Sequence, residues 1–125
     1  MPFSTTAPRF DDRLIAWRPF GANSPLNADG ANPSEGLMYW VLGVDRKRGI
    51  VDMLFRMAPG AMCTPHRHLG RTTTLVIEGE HRNIAEVDGN WAVKDVRPPG
   101  MFAFAEGDHL HREQAGPEAP SCTCA

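Results

Sequence analysis

A chain of 125 residues that is 42% hydrophobic and 22% charged has the composition of one globular domain and is too short for two ordinary cores. A formal net charge of −2 gives no electrostatic case for nucleic acid or an anionic membrane as partner. The longest apolar run, Leu37 to Val44, is far short of the roughly 20 residues that cross a bilayer.

Twelve glycines and eleven prolines punctuate the chain, and the runs between them are rich in Val, Ile, Leu, Phe, Trp and Thr, the composition of strands and turns. Residues 1–36 are the least regular part. Turn clusters at Gly21–Pro25 and Asn27–Gly36 follow a short apolar stretch, Leu14 to Trp17. This region is expected to be an arm with one or two edge strands, draped over the core or a neighbouring subunit, with residues 37–125 forming the main body. Leu37–Val44 and Ile50–Met57 read as a hairpin turning at Asp45–Gly49. Met62–His68 reads as a further extended segment, and Thr72–Glu78 as a strand ending at Gly79. His81–Val87 and Trp91–Val96 form a second hairpin across Asp88–Asn90. Met101–Ala105 and Leu110–Gln114 flank Glu106–Asp108, and Ser121–Ala125 can add a last short strand. No window of eleven or more residues carries a helical repeat, so the expected fold is all-β, a sandwich or jelly roll.

The opening residues, MPFSTTAPRFDDR, contain no apolar core of a secretory signal. Three cysteines, Cys63, Cys122 and Cys124, are too few for a disulfide framework. A reducing, cytoplasmic setting is expected.

The specific chemistry lies in the five histidines, four of which form two pairs of identical spacing, His66-Arg-His68 and His109-Leu-His111. Residues two apart on a strand share a face, so each pair presents two imidazoles side by side, roughly 7 Å apart along the strand. That arrangement suits two neighbouring ligands of one metal ion. Packing of the two segments against each other would bring three or four imidazoles together.

These residues resemble the cupin family. Gly60-Ala-Met-Cys-Thr-Pro-His66-Arg-His68, followed by Gly79, is similar to the first cupin motif, and Gly100 with His111 eleven positions later is similar to the second. The segment between them, Glu80 to Pro99, has the length of the intermotif hairpin, and the likeness covers about residues 37–115. The resemblance implies a double-stranded β-helix, or jelly-roll barrel, holding a divalent transition metal through His66, His68 and His111. Fe is the ion implied for an oxygenase, with Zn, Ni, Mn and Cu as alternatives. The family's usual carboxylate ligand falls at Thr72, whose neutral hydroxyl is a poor substitute, although some cupin dioxygenases use three histidines alone. In the second motif, Ala105-Glu106-Gly107 stands one residue further from the histidine than in the family. An alternative register therefore makes His109 the ligand. His111 is favoured, with His109 as its partner or a fourth ligand, and Glu106 supplies a carboxylate only if its turn folds inward.

Among the other residues, Thr72–Thr74 read as a β-branched strand start and His81 as a surface or hydrogen-bonded side chain. Cys63 is three positions before His66, so on a regular strand it faces away from that residue and into the core. Cys122 and Cys124 share a face of the tail. Phe55, Val76, Phe102 and Phe104, with Trp40, Met57 and Trp91, are candidates for core or pocket wall.

The likeness is strongest to small single-domain cupins that include acetylacetone-type and dihydroxyacetophenone-type dioxygenases. It implies a metal-dependent dioxygenase-like enzyme acting on a small carbonyl or phenolic compound. The alternative is a non-catalytic metal- or small-molecule-binding module, similar to the zinc-holding domains of anti-sigma factors. The expected partners are a small-molecule ligand and a second copy of the chain, because the arm suits exchange of edge strands.

Overall fold

The computed structural model describes residues 10–19, 36–118 and 120–124. Among these residues nine strands follow in chain order: β1 (Arg18–Pro19), β2 (Leu37–Asp45), β3 (Ile50–Met57), β4 (Thr72–Glu78), β5 (His81–Val87), β6 (Asn90–Arg97), β7 (Phe102–Ala105), β8 (His111–Ala115) and β9 (Ser121–Cys124). There is no helix among the described residues, and hence none long and apolar enough to cross a membrane.

The strands form two antiparallel sheets, one of six strands in the order β1-β2-β3-β9-β4-β7 and one of three in the order β6-β5-β8. This is the jelly-roll architecture that the short runs and turn residues predict. The tail strand β9 is inserted between β3 and β4, with Phe55 and Val76 both opposite Thr123. The last residues therefore complete the larger sheet from its middle.

Most of the expected arm, residues 1–9 and 20–35, lies outside the described residues. In the part described, β1 pairs with β2, placing Arg18 opposite Tyr39. Asp12 accepts a hydrogen bond from Trp17 Nε1 at 2.8 Å and pairs with Arg56 of β3.

The core is small. Leu37, Met57, Cys63 and Ala115 form its central cluster, with Ala61 packed against them. Leu54, Val76, Ile84 and Cys122 are also buried. Phe102 and Phe104 are not core residues, since they are 63% and 52% exposed. Both lie on β7 at the edge of the large sheet, and Trp91, also exposed, lies on the edge strand β6; among the described residues no further strand pairs with either.

A backbone irregularity separates the first histidine segment from the ladders around it. Residues 62–68 are not a regular strand, and they touch β8 through two isolated bridges, Met62 to Gln114 and His66 to His111. Four steps along the first segment match three along β8, so one residue bulges out, at the stretch where Pro65 has no N–H to give to a ladder.

Candidate metal centre

His66 and His68 lie on the bulged segment, and His111 opens β8. The backbones of His66 and His111 exchange two N–H···O bonds of 3.0 Å, which fixes the two residues side by side. His68 is held by the loop that follows β7. Asp108 N–H donates to the His68 carbonyl at 2.7 Å, and Arg67 and Arg71 pair with Asp108 and Glu106 at 3.5 Å. Gly107 lets the loop come this close. Its φ is +105°, and a Cβ there would be 2.7 Å from the Gly70 carbonyl oxygen.

The three rings converge through their Nε2 atoms. His66 Nε2 is 3.1 Å from His68 Nε2 and 3.0 Å from His111 Nε2. These are the separations of neighbouring nitrogens that share one ion at about 2.1 Å. Side chains that start about 7 Å apart along an ideal strand thus lean together until the ring centroids of His66 and His68 are 4.8 Å apart.

The tautomers follow from the outer hydrogen bonds. His66 Nδ1–H donates to the Thr64 carbonyl at 2.8 Å, and His111 Nδ1–H donates to Asn83 Oδ1 at 2.8 Å. The Asn83 amide is oriented in turn by its NH2 group, which donates to Asp95 at 3.3 Å. A neutral imidazole carries one N–H, so both Nε2 atoms face each other as bare lone pairs. Burial pushes His111 down to about 4, aided by His66, His68 and Arg97 against the opposing charge of Glu113. His68 is also lowered, by burial and then by His66. A cation at the meeting point of the three nitrogens relieves this repulsion, and a donor set of neutral nitrogens with fixed tautomers fits a divalent transition metal ion.

Strand alternation puts Glu113 on the same face of β8 as His111. Its Oε2 is 4.0 Å from His66 Nε2 and its Oε1 is 3.4 Å from Nε2 of His81, a residue only 1% exposed. Burial opposes ionisation of Glu113, but the hydrogen bond and charge of His81, with His111 and His66, hold its carboxyl down at about 2. Cys63 is in the core as expected, yet the bulge also turns its Sγ to 3.6 Å from His66 Nδ1. Its sulfur accepts the Glu113 N–H at 3.0 Å. Burial, with the charge of Glu113, pushes this thiol up to about 12.

A cavity of about 520 Å³ opens beside the histidines. His68, His111, Thr72, His109 and Glu106 all line it. Only His66, His68 and His111 bring their donor atoms together as one group of imidazoles among the described residues. His109 is exposed at the cavity, so the alternative register does not put it in the triad. Glu106 faces Arg71, and Thr72, opposite Ala105, lines the cavity wall. Of the four expected wall residues only Phe104 lines the cavity; Val76 is buried, Phe102 lies outside it and Phe55 belongs to β3.

Sequence reasoning did not find Glu113, Asn83 or Asp95; of its two alternatives for His81, a surface or a hydrogen-bonded side chain, the structure shows the second, buried against Glu113. Strand alternation from His111 to Glu113 and from His81 to Asn83 was the available signal. The placement of Asp95 was hidden, because it depends on a bulge in β6: Asn83 pairs with Asp95 but Ile84 with Val93, leaving Lys94 extra.

Solved structures share this fold. The chain is 20% identical, at a TM-score of 0.62, to a structure of Rhodobacter sphaeroides SigE in complex with the anti-sigma ChrR, over 88% of this chain and 46% of that one. The chain thus spans about half the length of that relative. It is 17% identical to the polyketide cyclase RemF from Streptomyces resistomycificus, covering 95% and 77% of the two chains at a TM-score of 0.65. A cupin-2 domain from Rhodospirillum rubrum is 15% identical, covering 99% and 76% at a TM-score of 0.67. No curated protein matches the chain. The family model described as the ChrR cupin-like domain matches residues 31–124, most of the chain, and the protein belongs to that cupin family.

Proposed function

We propose that the protein is a metal-dependent cupin that holds one divalent transition metal ion through His66, His68 and His111 and acts as a dioxygenase-type enzyme on a small carbonyl or phenolic compound. The observation that supports the metal-binding part of this reading is the 3.0 Å approach of two Nε2 atoms whose rings both place their N–H on Nδ1. When bound, the ion supplies Lewis acidity that lowers the pKa of an enol or phenol, and one-electron chemistry toward O2.

The chain's own residues do the rest. Thr64 and Asn83 hold the ring tautomers, and Asn83 is itself held by Asp95. Phe104, Leu110 and Ala103 give the cavity an apolar part of its wall, and Lys94 offers positive charge to an enolate or phenolate oxygen, while Arg97 pairs with Asp95 at 3.6 Å. The cavity volume lies within the range of small-molecule sites. An ion held by His66, His68 and His111 would lie next to that space, which His68 and His111 line.

The test is oxygen uptake by iron-reconstituted protein screened with diketones and phenolic ketones. Turnover abolished in His66→Ala supports the reading, and binding of such compounds without oxygen consumption overturns the enzymatic part. A second reading, a non-catalytic metal- or small-molecule-binding module, is favoured by the family match and by the similarity to the anti-sigma ChrR structure. A homodimer belongs to either reading and is supported by the exposed apolar edge strand β7. A gel-filtration mass of one chain would remove it.

A further inference from the structure

The cupin frame leaves this chain short of an anion, because a threonine stands at position 72. Three neutral imidazoles around a divalent ion leave its full charge uncompensated inside the barrel, which is costly away from water. An ionisable carboxylate nevertheless lies near the triad, on a different strand.

We propose that Glu113 supplies the carboxylate of the metal centre, entering from β8 instead of β4 and turned toward the histidines by His81. This rests on the metal-binding reading of the triad. Three observations carry it.

The first is aim. The two oxygens of Glu113 do different things, with Oε1 facing His81 Nε2 at 3.4 Å and Oε2 facing His66 Nε2 at 4.0 Å. The latter distance is within the roughly 4.2 Å that separates two atoms on opposite sides of one ion at about 2.1 Å. The second is backbone placement. Glu113 N–H donates to Cys63 Sγ at 3.0 Å and Cys63 N–H donates to the Glu113 carbonyl at 2.9 Å, so the residue is tied to the same bulged segment that carries His66. The third is His81, whose buried Nδ1 has no hydrogen-bond partner. This buried ring directs its other nitrogen, Nε2, at the carboxylate.

Together these place one anion beside His66, in a second group of ligand atoms (Cys63, His66, Glu113) that shares this histidine with the triad. With Glu113 the ligand set is three histidines and one carboxylate, the composition that Thr72 had removed.

Cobalt(II) titration of the metal-free full chain tests the proposal, reading the dissociation constant by chelator competition and the visible d–d absorption of the bound ion. Wild type is expected to bind one Co(II). Glu113→Gln is expected to bind at least tenfold more weakly with an altered spectrum, and Glu113→Asp, which keeps the charge but shortens its reach, to fall between. Thr72→Glu added to Glu113→Gln is expected to regain most of the affinity, and His81→Gln to shift the spectrum while the fold, followed by circular dichroism, is kept. Wild-type affinity and spectrum in both Glu113 variants would overturn the proposal while leaving the triad reading intact. Absence of Co(II) binding by folded wild type would overturn both. If Glu113→Gln fails to fold, Glu113→Asp decides: an unchanged constant and spectrum overturn the proposal.

Discussion

His66 and His111 face each other through Nε2 atoms 3.0 Å apart, while the other nitrogen of each ring donates to an oxygen acceptor 2.8 Å away. The pair is built by backbone pairing between a bulged segment and the first residue of β8, and the outer hydrogen bonds set both tautomers so that the Nε2 lone pairs face each other.

Metal removal is therefore expected to lower stability. Where free ion stands at a hundred times its dissociation constant, binding adds about 2.7 kcal/mol to the folded state. Chelation should lower the melting temperature of wild type by several degrees. The double variant His66→Ala/His68→Ala should show no shift with chelator or with added metal. Scanning calorimetry with and without chelator checks this.

Asn83→Ala removes the acceptor that fixes His111. Outer-shell partners of ligating histidines typically contribute 10–100-fold in metal affinity. The variant is expected to bind metal about tenfold or more weakly with little loss of fold, because Asn83 is only partly buried. Competition titration against a chromophoric chelator measures it.

Gly79 closes β4 at a φ of +73°, and a Cβ there would stand 2.8 Å from Ser121 Cα, against the entry of β9. Gly79→Ala combines a strained backbone with a clash against backbone that cannot rotate away. A loss of about 2–3 kcal/mol is expected. Urea denaturation measures this, and an unchanged midpoint would show that β9 is not seated there.

The thiols give a pH prediction. Burial disfavours the charged thiolate, which pushes Cys122 up to about 11 from a reference of 9.0. At any pH below that range its thiolate fraction is about a hundredfold below that of a free thiol. Cys124 is raised too, by burial and by Asp52, but it is less buried. Iodoacetamide at pH 8.5 should therefore label Cys124 first in the folded protein. Cys122 and Cys63 should react only as pH rises toward 11–12 or on unfolding. Peptide mass spectrometry over time reads the order.

Much of the fold was legible because Gly and Pro bound each run. Ile50–Met57, Thr72–Glu78 and His81–Val87 form strands with the bounds that the sequence suggests. The convergence of His66, His68 and His111 was also legible, since their spacing carries the cupin likeness. Other features depend on long-range pairing, which local pattern does not encode. The bulge near Pro65 turns Cys63 toward His66 instead of away from it, and the bulge at Lys94 aligns Asp95 with Asn83. The exposure of Phe102 and Phe104 goes with strand order, because among the described residues β7 ends a sheet and no further strand pairs with it. The position of Glu113 near the triad was legible in principle, two residues after His111 on the same strand face, but the cupin motif draws attention to position 72 on β4 instead.

The most direct test of the metal centre is the metal content of untagged protein, measured by mass spectrometry before and after reconstitution, beside His66→Ala/His68→Ala. The account predicts close to one transition metal ion per wild-type chain, and none above background in the variant. Wild-type protein that stays metal-free after exposure to iron, zinc, nickel, manganese and copper would contradict it, and the three converging imidazoles would then not be a ligand set.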